Sequence, residues 1–223
     1  MSNEMPLFAS APVVTLPASR RDGRMESPLV GLRHLADGAR GAGVSLAERA
    51  GLDLVVLRGN PAETTFQAAV SREFDCEVPV EPNTVSDGKD YCLIWLGPDE
   101  WLARSKAPDR SSAEPRIAAA LAGVFASAVD VSSGYTTLTV SGPNAAEVLA
   151  RGCPLDLHPS VFRAGQCAQT HFFKASVLVL PVGDDAFDLI VRRSFAEYMM
   201  LMLLDARDST FISQGIDQAH INT

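Results

Sequence analysis

The sequence predicts an α+β fold in which two halves, each ordered βαββαβ, pack as one unit. Two stretches of the chain follow the same order of strand, helix, hairpin, helix and strand. Matching elements recur at a nearly constant interval, because Gly142 follows Asn60 by 82 positions and Ser194 follows Ser111 by 83. Helix-start signals also occur at matching places in the two copies. Each half is therefore expected to place two helices on one face of a four-stranded antiparallel sheet, the split βαβ arrangement.

The first half begins with a short apolar strand at residues 54–57. Asn60 is expected to cap the helix that follows, with Pro61 at the first helical position. Apolar residues at helical spacing define the face that this helix buries. They are Phe66, Ala69, Val70 and Phe74.

A hairpin comes next, with strands at residues 91–96 and 101–104 joined by a turn in which Pro98 fixes the backbone angle. A capping box at residues 111–114 opens the second helix. A strand at residues 128–131 then closes the first half. The inward face of the second helix is predicted to comprise Ile117, Ala120, Leu121, Val124 and Phe125.

The second half repeats this order. A half-buried strand is predicted at residues 135–140, and Gly142 with Pro143 starts a helix that Gly152 ends. A longer irregular stretch, residues 153–165, separates this helix from the strands that follow.

The remaining strands of the second half are a strand at residues 170–174 and a hairpin of residues 177–182 and 187–191. Ser194 to Glu197 form another capping box, which opens the last helix. Phe211 and Ile212 are then expected to supply the closing strand.

The chain is divided accordingly. Residues 1–27 lack helical or strand periodicity and are interpreted as an extended N-terminal arm. Residues 28–212 form the α+β domain, with halves of about 50–132 and 133–212. Residues 213–223 are interpreted as a C-terminal tail.

Composition argues against several classes of partner. The 223 residues contain 27 acidic and 19 basic side chains, a net charge of -8, so the surface repels phosphate backbones and anionic lipid. The longest apolar stretches fall well short of the roughly 20 residues that a membrane-spanning helix needs. Acidic Glu4 precedes the N-terminal apolar patch and Arg20 follows it, the reverse of a signal peptide. We expect no nucleic acid or membrane partner, and a cytoplasmic location.

Metal and nucleophile signals are weak. The four cysteines are not at zinc-ligand spacing and are interpreted as buried thiols: Cys76, Cys92, Cys153 and Cys167. No histidine lies at helical spacing from another ligand, and His158 is explained by a turn before Pro159. The chain has no nucleophile elbow, Walker loop or dinucleotide-binding glycine motif. No catalytic, cofactor-binding or metal-binding residue is predicted on this chain.

Three further features allow two interpretations each. Asp99 and Glu100 are adjacent carboxylates, but they are expected to be solvated turn residues. Trp101 is either a core anchor, which we favour, or an exposed interface residue. The segment from Arg163 to Thr170 could recognise an amide or a carboxylate, or could be an ordinary entry into a strand.

The last helix is apolar over much of its circumference. Met200, Leu201 and Leu204 lie away from the face that carries Tyr198 and Met202. Such a helix is buried on more than one side. The mean hydropathy of +0.09 is high for a charged chain, and this helix accounts for part of it. We expect residues 195–204 to contribute to an interface with another protein.

Five short motifs of the sequence are distinctive. The most specific are Val-Ser-Gly-Pro-Asn-Ala-Ala-Glu-Val-Leu at 140–149 and Gly-Cys-Pro-Leu-Asp-Leu-His-Pro at 152–159. The other three are Pro-Leu-Val-Gly-Leu at 28–32, Leu-Gly-Pro-Asp-Glu-Trp-Leu at 96–102 and Asp-Val-Ser-Ser-Gly-Tyr-Thr at 130–136. With these motifs, the sequence resembles a known family, the gamma subunit of heterotetrameric sarcosine oxidase, over about 28–208. More distantly, the central stretch resembles the folate-binding fold of the glycine-cleavage T-protein.

The resemblance implies a non-catalytic subunit of a cytoplasmic flavoenzyme complex. That complex oxidatively demethylates sarcosine to glycine, with hydrogen peroxide and formaldehyde or methylene-tetrahydrofolate as the other products. It further implies alpha, beta and delta partner subunits, which carry FAD, FMN, NAD, tetrahydrofolate and zinc. No cofactor is implied on this chain.

An alternative is a free-standing tetrahydrofolate-binding, aminomethyltransferase-like protein. This alternative predicts a pocket between the two halves. Arg163, Gln166 and Gln169 would face that pocket.

Overall fold

The computed structural model describes residues 26–32, 40–41, 43–108 and 111–221. The predicted N-terminal arm therefore lies almost wholly outside the described residues. The helices are α1 (Thr64–Phe74), α2 (Glu114–Ala120), α3 (Ala145–Ala150) and α4 (Ala196–Ile221). The strands are β1 (Arg40–Gly41), β2 (Val44–Arg49), β3 (Leu52–Arg58), β4 (Val85–Asp87), β5 (Tyr91–Gly97), β6 (Glu100–Pro108), β7 (Ser127–Asp130), β8 (Tyr135–Ser141), β9 (Ala168–Phe172), β10 (Ala175–Gly183) and β11 (Ala186–Arg192).

The strands form two antiparallel sheets. One has the order β4-β5-β6-β3-β7 and belongs to the first half. The other has the order β1-β2-β8-β11-β10-β9. The first sheet has the strand order of a split βαβ unit, in which the first strand lies between the third and the fourth. The second sheet has the same arrangement around β8, with β2 in the position of the fourth strand. The predicted α+β class with two βαββαβ-type halves is confirmed.

The sheets pack face to face, with helices on the two outer faces. Alternate residues of each strand point to opposite faces, so each sheet contributes to two cores. Leu54 and Ile94 of one sheet share the inter-sheet core with Leu178 and Ile190 of the other. On the outer face of the first sheet, α1 and α2 bury side chains such as Phe66. On the other sheet, α3 and α4 bury a larger apolar cluster.

The closing strand of the second half was predicted wrongly. Phe211 and Ile212 lie within α4, which continues as a helix to Ile221 and so also extends through the predicted tail. The position next to β8 is instead occupied by β2, from the N-terminal side of the first half. The sequence of β2, Val-Ser-Leu-Ala-Glu-Arg, alternates as a strand does, and Val44 and Leu46 are buried. The second half is thus completed by a segment that precedes the first half.

The predicted helix starts are displaced by a few residues. Asn60 does not cap α1, because its side chain accepts a hydrogen bond from the Ala62 backbone in a turn before the helix. The second helix begins at Glu114 and the last at Ala196. The start of α2 is held by a distant residue, since the carboxylate of Asp53 accepts a hydrogen bond from the Ala113 amide at 2.9 Å.

The predicted inward face of α2 is only half right. Ile117 and Leu121 are buried, but Ala120 is exposed and Phe125 is 98% exposed. The helix ends at Ala120, and Gly123 turns the chain with a φ of 85°. The spacing that would have brought Phe125 inward therefore applies to a helix that has already ended.

Position 142, within one of the two most specific motifs, has a backbone conformation and a close contact that only glycine fits. Its φ is 119°, a value that L residues rarely adopt, and a Cβ there would lie 2.1 Å from the backbone oxygen of Gly43. The close approach brings the β1–β2 turn against the start of α3. The motif therefore holds the added strand β2 in place.

Candidate functional site

One candidate for a ligand site is a cleft between the two sheets. It has a volume of about 200 Å³ and is lined largely by apolar side chains, including Val56, Leu102 and Ile190. Tyr135 and Arg192 form one wall, with the guanidinium 5.9 Å from the centre of the tyrosine ring. Small-molecule sites commonly have volumes of roughly 300–1,000 Å³. The cleft is smaller than such sites.

The three residues of the folate-binding alternative do not converge on this cleft. Only Gln169 lines it, and its side chain donates a hydrogen bond to the backbone oxygen of Leu96 at 2.7 Å. The Gln166 side-chain oxygen accepts a hydrogen bond from the Arg163 backbone at 2.8 Å, within their own loop. The Arg163 side chain is exposed. These residues therefore do not form the polar pocket that recognition of tetrahydrofolate would need.

A buried ionic cluster lies elsewhere in the inter-sheet layer. Asp188 of β11 is fully buried and accepts hydrogen bonds from Arg104 at 2.6 Å, Arg49 at 2.8 Å and Thr139 at 2.6 Å. The Arg104 side chain is 6% exposed and belongs to β6 of the other sheet. A buried carboxylate needs such partners, and here they come from several elements of the fold. The cluster joins the two halves across their interface.

A second buried carboxylate, Asp53, organises the helical side of the first half. It accepts hydrogen bonds from the Tyr91 hydroxyl at 2.8 Å and from the Ala113 amide. Burial and the hydrogen bond to Asp53 raise the pKa of Tyr91 to about 12. The Asp53 amide donates to Ser105. These contacts fix α2 against the sheet.

Sequence reasoning missed both carboxylates, although a signal was present. Each is a single Asp in an otherwise apolar strand, Leu-Asp-Leu-Val-Val-Leu in β3 and Phe-Asp-Leu-Ile-Val in β11. An aspartate in such a setting is buried and needs donors. The sequence does not show which donors those are.

Trp101, Asp99 and His158 have structural roles. Trp101 is 1% exposed, and its ring packs against that of Phe66 with 5.4 Å between the ring centres. Its indole N–H donates a hydrogen bond to the backbone oxygen of Pro79 at 2.7 Å. The prediction of a core anchor is confirmed. Asp99 lies in the hairpin turn, 3.8 Å from Arg58 and largely solvated. His158 takes part in local turn contacts, with its amide bonded to Asp156. None of them joins the inter-sheet cleft.

The four cysteines are free thiols. Three of them are buried, and Cys76 is half-buried. Burial raises the pKa of Cys76 to about 11 and that of Cys167 to about 12, because the thiolate loses its hydration. Unreactive thiols of this kind fit the prediction of packed cysteines. Within the described residues, no group of three or more His, Cys, Asp or Glu side chains could hold a metal ion.

The apolar excess of α4 lies mostly inside the chain. Met200 is 1% exposed and shares a core with Leu29 from the N-terminal side and Phe162 from the irregular stretch. The prediction that residues 195–204 form a partner interface is therefore wrong for Met200. Leu201 and Phe195 do remain 40% and 42% exposed. Among the helices of the described ranges, none is long and apolar enough to cross a membrane.

Among the residues whose burial is described, the most exposed large apolar one lies in the first half. Phe125 follows α2 and borders an open groove of about 580 Å³. The groove extends from Arg58 and Pro61 to Ser127, the first residue of β7. An exposed aromatic side chain beside an apolar groove is typical of a protein-binding surface.

Comparisons with known proteins give one consistent result. A family model described as sarcosine oxidase, gamma subunit family, matches residues 58–209. A sarcosine oxidase subunit gamma from Corynebacterium sp. (strain P-1) is 31% identical over 183 residues, covering 82% of this chain and 88% of the relative. One from Arthrobacter sp. is 31% identical and covers 77% and 84%.

Comparison with solved structures also leads to sarcosine oxidase. A chain of heterotetrameric sarcosine oxidase from Corynebacterium sp. U-96, in complex with pyrrole 2-carboxylate, matches with a TM-score of 0.77 and 29% identity. The match covers 83% of this chain and 96% of that one. The glycine cleavage system aminomethyltransferase T from Bartonella henselae matches with a TM-score of 0.58 and 16% identity, over 86% of this chain and 63% of that one. The second match shows a shared fold alone.

Proposed function

The chain belongs to the sarcosine oxidase gamma subunit family, and on that premise we propose that it is a non-catalytic subunit of a heterotetrameric sarcosine oxidase. The observation that carries this proposal is the match to a chain of such an oxidase over 96% of that chain's length. The complex would oxidatively demethylate sarcosine to glycine, with hydrogen peroxide and formaldehyde or methylene-tetrahydrofolate as the other products. This chain would act by assembly.

The described charged groups that are most deeply buried support a structural role. Asp188 is bonded to two arginines and a threonine, and Asp53 to a tyrosine and a helix amide. Each carboxylate therefore stabilises the contact between elements of the fold. Neither has the exposure to a cleft that general acid–base chemistry on a substrate requires.

The chemistry would reside on partner subunits. We propose alpha, beta and delta chains as partners, with FAD, FMN, NAD, tetrahydrofolate and zinc bound to them. The location would be cytoplasmic. This chain would hold the large subunits in their working arrangement, so its loss should lower oxidase activity by lowering assembly.

Co-expression tests the proposal. The chain is produced with the remaining subunits, and the mixture is separated by size-exclusion chromatography. We expect the chain to elute with flavin-containing material and oxidase activity to fall when it is omitted. Migration of the chain alone, together with full activity of the other subunits in its absence, would contradict the proposal.

A further inference from the structure

The two halves differ at one equivalent edge. In the second half, the strand next to β8 is β2, and β1 pairs with its outer side through Arg40 opposite Ser45 and Gly41 opposite Val44. In the first half, the corresponding strand is β7, which pairs with β3. No strand pairs with the outer side of β7 in the ranges that the structure describes. Strand β1 therefore shows that a further strand can pair with the outer side of a strand at this position.

Apolar groups are exposed on β7 and just before it. Val129 lies opposite Val56, which packs toward the inter-sheet core, yet Val129 is 52% exposed. Phe125, two residues before β7, is 98% exposed beside its groove. A strand that pairs with the edge and continues past Ser127 would cover both side chains.

The surface beside this edge permits close approach. The last turn of α2 presents three exposed alanines next to this edge, and the nearest charged side chain of the helix, Arg116, is bonded to Glu73. Small side chains let another backbone lie near the helix without a steric or desolvation penalty. These residues are Ala118, Ala119 and Ala120.

Charges at the two ends of β7 specify the occupant further. At the Ser127 end, Arg58 lies 3.8 Å from Asp99 and 3.6 Å from Glu100, so that the group is net negative. At the other end, Asp130 is exposed. A complementary segment would be apolar in its middle and would carry Lys or Arg at its ends.

We infer that β7, with Phe125 and its groove, is the docking edge for an extended segment of a partner subunit. This segment adds as a strand to β7, places an apolar side chain in the groove beside Phe125 and carries basic residues toward Asp99 and Asp130. The inference rests on the proposed function, since it assigns the surface through which this chain joins the oxidase.

Two variants and a control test the inference in the full-length chain. Phe125→Asp puts a charge at the groove, and Val129→Lys puts one on the edge strand, a substitution that blocks strand addition. Val161→Asp is the control, because Val161 is 55% exposed and lies in the irregular stretch of the second half. Each chain is titrated against the remaining subunits, and the dissociation constant is measured.

We expect Phe125→Asp and Val129→Lys each to weaken binding by about 30-fold or more, the effect typical of a central interface residue. Val161→Asp should remain within about twofold of the unmodified chain. Thermal unfolding of the isolated variants should be unchanged for Phe125→Asp, because that side chain is almost fully exposed. If Val129→Lys fails to fold, Phe125→Asp decides the result.

Other outcomes separate the inference from the function on which it rests. If the unmodified chain binds the remaining subunits and Phe125→Asp binds equally well, the inference fails and the proposed function stands. If the unmodified chain does not bind at all, both fail. Two further results would overturn the inference alone: a dimer of the isolated chain that Phe125→Asp dissociates, or an edge that becomes accessible only when residues 1–25 are deleted.

Discussion

The two halves of this molecule share a fold but differ in how that fold is completed. In the second half, a long helix of 26 residues and the added strands β1 and β2 enclose the core, and Met200 is buried. In the first half, the equivalent helix α2 has seven residues, and Phe125 beyond it is exposed. The second half is therefore closed by the chain's own segments, whereas the first half leaves an edge open.

This difference indicates where hydrophobicity serves folding and where it serves assembly. The apolar surplus of α4 lies in a part of the chain that other segments cover, so it stabilises the fold. Fewer apolar residues are involved in the first half, but they are concentrated at an uncovered edge. In a subunit that acts by binding other chains, exposed apolar residues at an open sheet edge indicate the binding surface.

The largest expected effect comes from separating the halves. Asp188→Ala removes the carboxylate that Arg104 faces across the sheet interface, leaving a buried and uncompensated guanidinium. We expect a loss of about 3–5 kcal/mol in the free energy of unfolding, measured by urea denaturation. Asp184→Ala, in an exposed turn, is the matched control and should change stability by less than about 0.5 kcal/mol. Equal effects of the two variants would show that the cluster does not join the halves.

The closed state of the second half can be tested at α4. Met200→Ala should destabilise the isolated chain by about 2–4 kcal/mol, because it leaves a cavity in the core. Urea denaturation of the isolated chain measures this loss. Unchanged stability combined with weaker binding to the other subunits would mean that α4 is the interface after all, and the contrast between the halves would be lost.

The attachment of β2 depends on Gly142. Gly142→Ala forces a strained backbone and a clash with the Gly43 oxygen, so we expect a loss of about 1–3 kcal/mol. Gly134→Ala is the control, because a Cβ there meets no other atom within 4 Å. Thermal unfolding of the two variants compares the effects. A Gly142→Ala chain as stable as the control would mean that β2 is not held through this turn.

The smallest effect concerns thiol reactivity in the first half. Because the pKa of Cys76 is raised from 9.0 to about 11, its thiolate fraction at pH 8 is about a hundredfold lower than that of an ordinary thiol. Alkylation of Cys76 by iodoacetamide should therefore be slow at pH 8 and accelerate as the pH rises toward 11. The Cys76→Ser chain identifies the labelled site by mass spectrometry. Fast labelling at pH 8 would indicate that this half opens more readily than its burial implies.

The sequence was sufficient to predict the two halves because local signals determined them. Short apolar runs in β3 and the two hairpins, the half-buried pattern of β8 and the turn at Pro98 specify strands whatever their partners. Trp101 could likewise be recognised as a core residue. The predictions of helix starts were less accurate, because the group that holds α2, Asp53, lies 60 residues before Ala113 in the chain.

The remaining features depend on tertiary pairing. Strand periodicity in β2 does not reveal that it pairs with β8, which begins at Tyr135, 86 residues after the end of β2. Phe211 and Ile212 are an apolar pair that fits a strand or a helix equally well. Phe125 was expected inside because the end of α2 at Ala120 carries only a weak signal, Gly123. The exposed edge was therefore visible only once the topology was known.

Hydrogen exchange at the two equivalent edges tests the central claim most directly. Backbone amides of β2, Val44–Arg49, and of β7, Ser127–Asp130, are followed in the isolated chain and in the assembled oxidase. We predict that the β2 amides bonded to β1 or β8 exchange slowly in both states, whereas the β7 amides that point away from β3 exchange fast in the isolated chain and become protected on assembly. Equal exchange of β7 in the two states would contradict the account.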